Sequence, residues 1–157
     1  MTQTKVIGES VKQTNRTFVK SYVNDYANAI TENYRRYHLE TLTGNLSGNY
    51  PEYAREQLDA IENGTANLMK FKVYTGKRYY KIVQQEFETW EKSRNYGKYA
   101  DGSVHCFVDK ETGDVYKPAS WAAPAKHIRF TFQNVDHLKF LLNPDNVGWA
   151  GGYLYMR

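Results

Sequence analysis

VHCFVDKETGDVYKPASWAAPAKHIRF, residues 104–130, is the stretch on which the fold turns. Val104, Cys106 and Val108 alternate with His105 and Phe107, the two-residue period of a strand that buries one face. DKETGD, residues 109–114, then interrupts the apolar run, with Gly113 where a short hairpin loop needs a left-handed residue. A returning strand begins at Val115 and stops at Pro118, which cannot donate to a ladder. IRFTF, residues 128–132, reads as a further strand. Strands joined by such short loops pair antiparallel.

Working upstream, LMKFKVYTGKRYYKIV, residues 68–83, makes a second hairpin. Met69, Phe71 and Val73 point one way, and Lys70, Lys72 and Tyr74 the other; beyond the TGK turn, Tyr80 and Ile82 oppose Tyr79, Lys81 and Val83. If the two strands pair with the right register, Lys70, Lys72 and Lys81 share a basic face, but periodicity leaves that register open. A polar connection, ETWEKSRNYGKYADG, joins this hairpin to the next. The front of the chain has a different period. From Thr17 to Leu39, Phe18, Val19, Tyr22, Val23, Tyr26, Ala27, Ile30, Tyr34 and Tyr37 recur every three or four residues, one stripe of a helix that Gly44 and Gly48 close. Pro51 starts a second helix and Gly64 follows it. Downstream, Asn134 caps a short helix before Pro144, and the tail NVGWAGGYLYMR has the aromatics of a strand that docks. The expectation is one α+β domain over residues 1–157. A helical hairpin (1–64) packs on an antiparallel sheet of about four strands in the strand-rich part (65–157).

The length suits a single core, and no apolar run is long enough to cross a membrane. The N-terminus lacks the apolar centre of a signal peptide, and one cysteine leaves no internal disulfide to form, so a reducing cytoplasm is expected. Charge is uneven. Residues 70–129 carry 12 Lys and Arg against 7 Asp and Glu, whereas residues 1–69 carry 7 against 8, so the whole positive excess sits in the middle. That bias points to an anionic partner. With 14 Tyr, 7 Phe and 3 Trp, the chain has rings to fill a Leu-poor core or to build a binding surface.

Catalytic signatures are missing, and the expectation is a protein that is not an enzyme and uses no cofactor. Gly76-Lys77 is followed by Arg78, so there is no phosphate-cradling loop, and no Gly-x-Gly-x-x-Gly occurs. His38, His105, His127 and His137 are too scattered for a metal site, and His105 is expected on the opposite strand face from Cys106. A Cys–His nucleophile would need His127 to fold back onto Cys106, and Cys106 reads instead as a small core residue. Glu86 and Glu88 read as an exposed pair.

One constellation does suggest binding. In VYKPASWAAPAKHIR, Tyr116 and Trp121 offer flat faces, Lys117, Lys126 and Arg129 can neutralise phosphates, and Ser120 can cap backbone N–H groups. Rings interleaved with cations suit nucleic acid or a nucleotide, stacking serving the base and charge the backbone. A packed corner, with Trp121 as a plug held by Pro118 and Pro124, is the competing reading of the same residues.

The run DKETGDVYK, the following ASWAAPAK and the closing WAGGYLY resemble a family of small proteins encoded by tailed bacteriophages, over roughly residues 79–157. The resemblance implies a phage origin and synthesis in the host cytoplasm, and supplies no activity. The resemblance implies a lysine in many relatives at the position of Ala122, which makes the basic cluster here one cation smaller. The helical front lies outside the resemblance, as a lineage-specific addition would. The function expected is a phage accessory protein that binds nucleic acid through its basic aromatic segment. Two alternatives are a virion or assembly component, in which tyrosines make subunit contacts, and a host-directed inhibitor that grips a host protein or signalling nucleotide.

Overall fold

Val19, Val23, Tyr26, Ala27 and Ile30 fall three or four residues apart and are at most 2% exposed, so one stripe of the first helix is committed to an interior. The computed structural model describes the backbone of residues 2–155 and the side chains of residues 14–155. Helix α1 spans Thr2–Asn45, much longer than the Thr17–Leu39 stripe. Residues 2–16 contain no proline, so nothing stops a helix that is already nucleated downstream. Pro51 opens α2 (Pro51–Glu62) at its first turn, and Gly64 follows at φ 74°. α2 packs back on α1, where Leu42 and Ala54 are buried.

The remaining chain builds a five-stranded antiparallel meander, β1 (Lys70–Thr75), β2 (Tyr79–Phe87), β3 (Tyr99–Asp109), β4 (Asp114–Pro118) and β5 (Pro124–Thr131), each strand beside its sequence neighbours. The α+β class and the helical pair packed on a sheet are as expected; the sheet has five strands rather than about four. β5 starts at Pro124, four residues before the IRFTF run, because a proline at the first position of an edge strand gives up no needed ladder bond.

Register divides the sheet into two faces. Thr75, Tyr80, Val108, Val115 and Phe130 are successive cross-strand partners, as are Val73, Ile82 and Cys106. Most of these side chains join the α1 stripe in one core, with Phe132, Leu141, Val147 and Leu154. Among the described residues no helix packs on the other face, the usual state of a one-sided antiparallel sheet.

Two turns follow directly from their residues. In the β3–β4 turn Asp109 Oδ1 accepts from the backbone N–H of Glu111 at 2.8 Å and Thr112 at 3.1 Å. Gly113 then adopts φ 76° with no room for a side chain, since a Cβ there would meet Phe132 Cβ at 2.7 Å. Asn134 caps α3 (Val135–Leu141) by accepting from Asp136 and His137 N–H.

Two expectations are corrected. His105 and Cys106 do not face opposite ways. The register slips between Ile82↔Cys106 and Val83↔Val104, leaving His105 as the extra residue of a bulge, and both His105 and Cys106 are buried among the core groups. The tail docks, but as a turn of 3-10 helix (Gly152–Leu154) rather than a strand. Its anchors are on α1: Asn33 Nδ2 donates to Pro144 O at 2.7 Å while Asn33 Oδ1 accepts from Trp149 N–H at 2.9 Å, and Arg36 pairs with Asp145. Met156 and Arg157 of that tail lie outside the described residues.

Candidate functional site

On the helix-free face, Tyr74, Lys81, Phe107, Tyr116 and Ile128 are successive cross-strand partners across all five strands. Side chains in such a row are neighbours held by the ladder itself. Tyr79 packs edge-on against both Phe107 and Tyr116, with ring centroids 5.8 and 6.1 Å apart. The β4–β5 loop brings Trp121 over the row, and the Lys81 ammonium rests 4.3 Å from the Trp121 ring centroid and 5.8 Å from that of Phe107. Phe107 is thereby only 2% exposed, whereas Trp121 remains 48% exposed.

Cations line the same surface. Lys72 lies over Tyr74, Lys70 over Tyr99 and Arg78 over Tyr79, at 4.9, 4.0 and 5.1 Å. The register Lys72↔Val83 and Tyr74↔Lys81 settles the question left open by periodicity: Lys70, Lys72 and Lys81 share one face. Such contacts hold a positive head beside a ring at little cost, about 0.5–1 kcal/mol in its favour where exposed. A cavity of about 520 Å³ opens here, bounded by Tyr74, Lys77, Arg78, Lys81, Phe107 and Trp121, with Asp101 at its wall. Asp101 accepts from Gln85 Nε2 at 2.7 Å and from the Tyr74 hydroxyl at 2.7 and 3.0 Å. The Gln85 hydrogen bond above all, helped by Tyr74 and by Lys72 and Lys81, holds its carboxyl below the usual carboxylate range, and Tyr74's own hydrogen bond to Asp101 raises the Tyr74 hydroxyl.

The six residues singled out from the sequence divide between two places. Tyr116 and Trp121 belong to this face. Ser120 serves its own loop, its Oγ accepting from the N–H groups of Ala122 and Ala123 at 3.3 and 3.2 Å, and so fixes how Trp121 is presented. Lys126 is exposed on β5. Lys117 and Arg129 are turned to the C-terminal tail instead: Lys117 lies 4.2 Å over the Tyr155 ring, and Arg129 donates to Leu154 O at 2.7 Å and His127 O at 3.0 Å. Lys117 and Arg129 thus meet consecutive residues of the tail, and neither lines the cavity that Trp121 borders. Tyr74, Arg78, Tyr79, Asp101 and Phe107 were not singled out; strand alternation was the one signal for Tyr74, Tyr79 and Phe107, and nothing in the sequence marked Arg78 or Asp101.

Behind the sheet runs a buried polar chain. Tyr26 and Tyr153 share a hydrogen bond of 2.6 Å, and the Tyr153 hydroxyl meets His105 Nε2 at 2.8 Å. Burial pushes the Cys106 thiol up to about 12, against a hydrogen bond from Tyr26 that works the other way, and pushes His105 down to about 4. Among the described residues no group of three or more His, Cys, Asp and Glu is placed to hold a metal ion, and no helix is long and apolar enough to cross a membrane.

No curated protein and no solved structure matches this chain. The model of one family does, from residue 6 to residue 156, so that the helical part falls within the family pattern together with the sheet and tail. The chain belongs to DUF7717, a family of unknown function.

Proposed function

We propose that this protein is a non-enzymatic accessory protein, of phage origin, that binds nucleic acid on the open face of its sheet. The observation that carries the reading is the five-strand row Tyr74, Lys81, Phe107, Tyr116 and Ile128, overhung by Trp121 and edged by Lys70, Lys72, Lys77 and Arg78. Bases need flat apolar surfaces and the backbone needs cations within the same few ångströms, and single strands are bound by that combination. Rings mounted on a sheet are already ordered, so little conformational entropy is lost when a base stacks on them. The positive excess of the middle segment gives the attraction its range. The non-enzymatic part of the reading is supported by Cys106: a buried thiol raised to about 12 holds almost no thiolate near neutral pH.

The test is fluorescence anisotropy of labelled single-stranded DNA, single-stranded RNA and duplex DNA, titrated with the protein at several salt concentrations. Binding should weaken steeply as salt rises, because neutralised phosphates release their counterions. Replacing Lys77, Arg78 and Lys81 together with Ala should flatten the dependence by up to about three contacts' worth of slope. Absence of binding to all three probes at low salt overturns the reading. Rings exposed elsewhere, Tyr50 at 78% and Trp90 at 63%, favour a second reading, a virion or assembly component, which would appear in purified particles at fixed copy number.

A further inference from the structure

Three cavities run in series round the tips of the β1–β2 and β3–β4 hairpins. The one on the open face shares Lys77 and Arg78 with a second, of about 790 Å³, beside the two turns. The second shares Arg16 and Lys110 with a third, of about 690 Å³, between α1 and the first hairpin. This third cavity lies on the helix side of the sheet, floored by Val23, Val73 and Tyr80. Arg16, Lys20 and Lys110 stand in its wall, and among the described residues no carboxylate lines it. The acids nearest to it are already engaged. Glu111 pairs with Arg16, and Asp109 accepts from the N–H groups of its own turn while its Oδ2 lies 3.6 Å from Arg78. Lys20 and Lys110 are in no ion pair among the described residues. Lys110 is nonetheless held in place, its ammonium donating to Gly76 O at 3.0 Å and lying 5.7 Å from the Tyr80 ring centroid. An ammonium has three donor hydrogens, so two are left for a ligand. Like charges gathered in a concave wall focus their field and concentrate anions there.

Resting on the nucleic-acid reading above, we infer that the groove beside α1 is a second, phosphate-binding site, filled by the backbone of a single strand that leaves the ring-lined face and crosses the hairpin tips. The two sites differ in chemistry. The open face offers rings together with cations. The groove offers cations over an apolar floor in which Tyr80 is only 7% exposed, so a base has no ring there to stack on. It therefore recognises phosphate, which carries no sequence information, and adds affinity and length to the site without adding base preference. Lys77 and Arg78, common to the first two cavities, carry the backbone across the tips, and Arg16 and Lys110 receive it on the helix side.

The experiment titrates labelled oligothymidylates of about 4 and about 12 nucleotides, within the usual range of single-strand site sizes, at several salt concentrations. The proteins are the wild type, Lys20→Gln, and Lys20→Gln combined with Lys110→Gln. The short strand stacks on the open face and should bind all three alike. The long strand should lose roughly tenfold in affinity with the double variant, and its logarithmic salt slope should flatten by about 1.4, or about 0.7 per phosphate contact. Lys20→Gln alone, whose side chain is exposed on α1, should give about half that change in slope without touching the Lys110 contact to the hairpin. An equal loss on both lengths would mean that the lysines act only through the general field, and it overturns the groove as a site, as does no loss on either. Inorganic triphosphate, followed by calorimetry, separates the sources of phosphate. Triphosphate binding that the double variant abolishes, with no length effect on strands, upholds the phosphate site and overturns the strand as its occupant. Failure of the wild type to bind either strand overturns the nucleic-acid reading, and the groove then stands or falls on triphosphate binding.

Discussion

Acidification to about pH 5 should destabilise this protein through one buried imidazole. His105 is 8% exposed, bonded to Tyr153 at 2.8 Å and edge-on to Phe71, and burial lowers its pKa from 6.5 to about 4. In the unfolded chain the ring takes up a proton as the pH falls through 6.5; in the folded chain it resists until about 4. The folded state thus has its full stability above 6.5, loses it progressively as the pH falls, and loses no more through this group below about 4. The shift sets an upper limit of about 3 kcal/mol, of which about 2 kcal/mol is gone at about pH 5. Glu32 and Asp101 do not confound that window: both are held below their ordinary values of 4.5 and 3.8, so their contributions are intact above those values and fall away only at lower pH. Urea unfolding at about pH 7.5 and about pH 5 measures the difference, with His105→Gln as the control that cannot titrate. The variant should be less stable at neutral pH but lack the loss between the two conditions. An unchanged midpoint for the wild type, or the same fall in the variant, would refute the argument.

Glycine positions give a second check on packing. Gly113→Ala combines left-handed strain of about 1–2 kcal/mol with overpacking of about 1–3 kcal/mol against Phe132 and Val19. Gly97→Ala, at nearly the same φ but with open space around it, should cost the strain alone; equal shifts in urea midpoint would show that the Phe132 contact is unimportant. Cys106 should resist a thiol reagent in the folded protein and react at once in denaturant, and rapid labelling of the native protein would contradict its burial.

Features whose reasons are local were legible in the chain. Pro51 and Asn134 mark helix starts because each acts within the first turn, and Gly113 marks a hairpin because the left-handed conformation is needed at that one residue. The α1 stripe was legible because helical periodicity repeats over many turns. What periodicity could not reveal is a bulge. One extra residue at His105 puts it beside Cys106 on the buried side, and a second slip between Val115 and Tyr116 aligns Phe130 with the core and Ile128 with the open face.

The candidate site shows the same division. Tyr116 and Trp121 were visible as rings among cations, yet Lys117 and Arg129, from the same short stretch of sequence, are engaged by the C-terminal tail. By itself the sequence determined an α+β chain with a helical front, hairpins at TGK and DKETGD, and a basic, ring-rich middle, because each depends on residues near one another along the chain. Only the tertiary structure decided that Tyr74, Lys81, Phe107 and Tyr116 form one surface and that Asp101 stands in its cavity wall. Those neighbours come from four different strands, and the ladder register that aligns them is set by the whole sheet packing against α1.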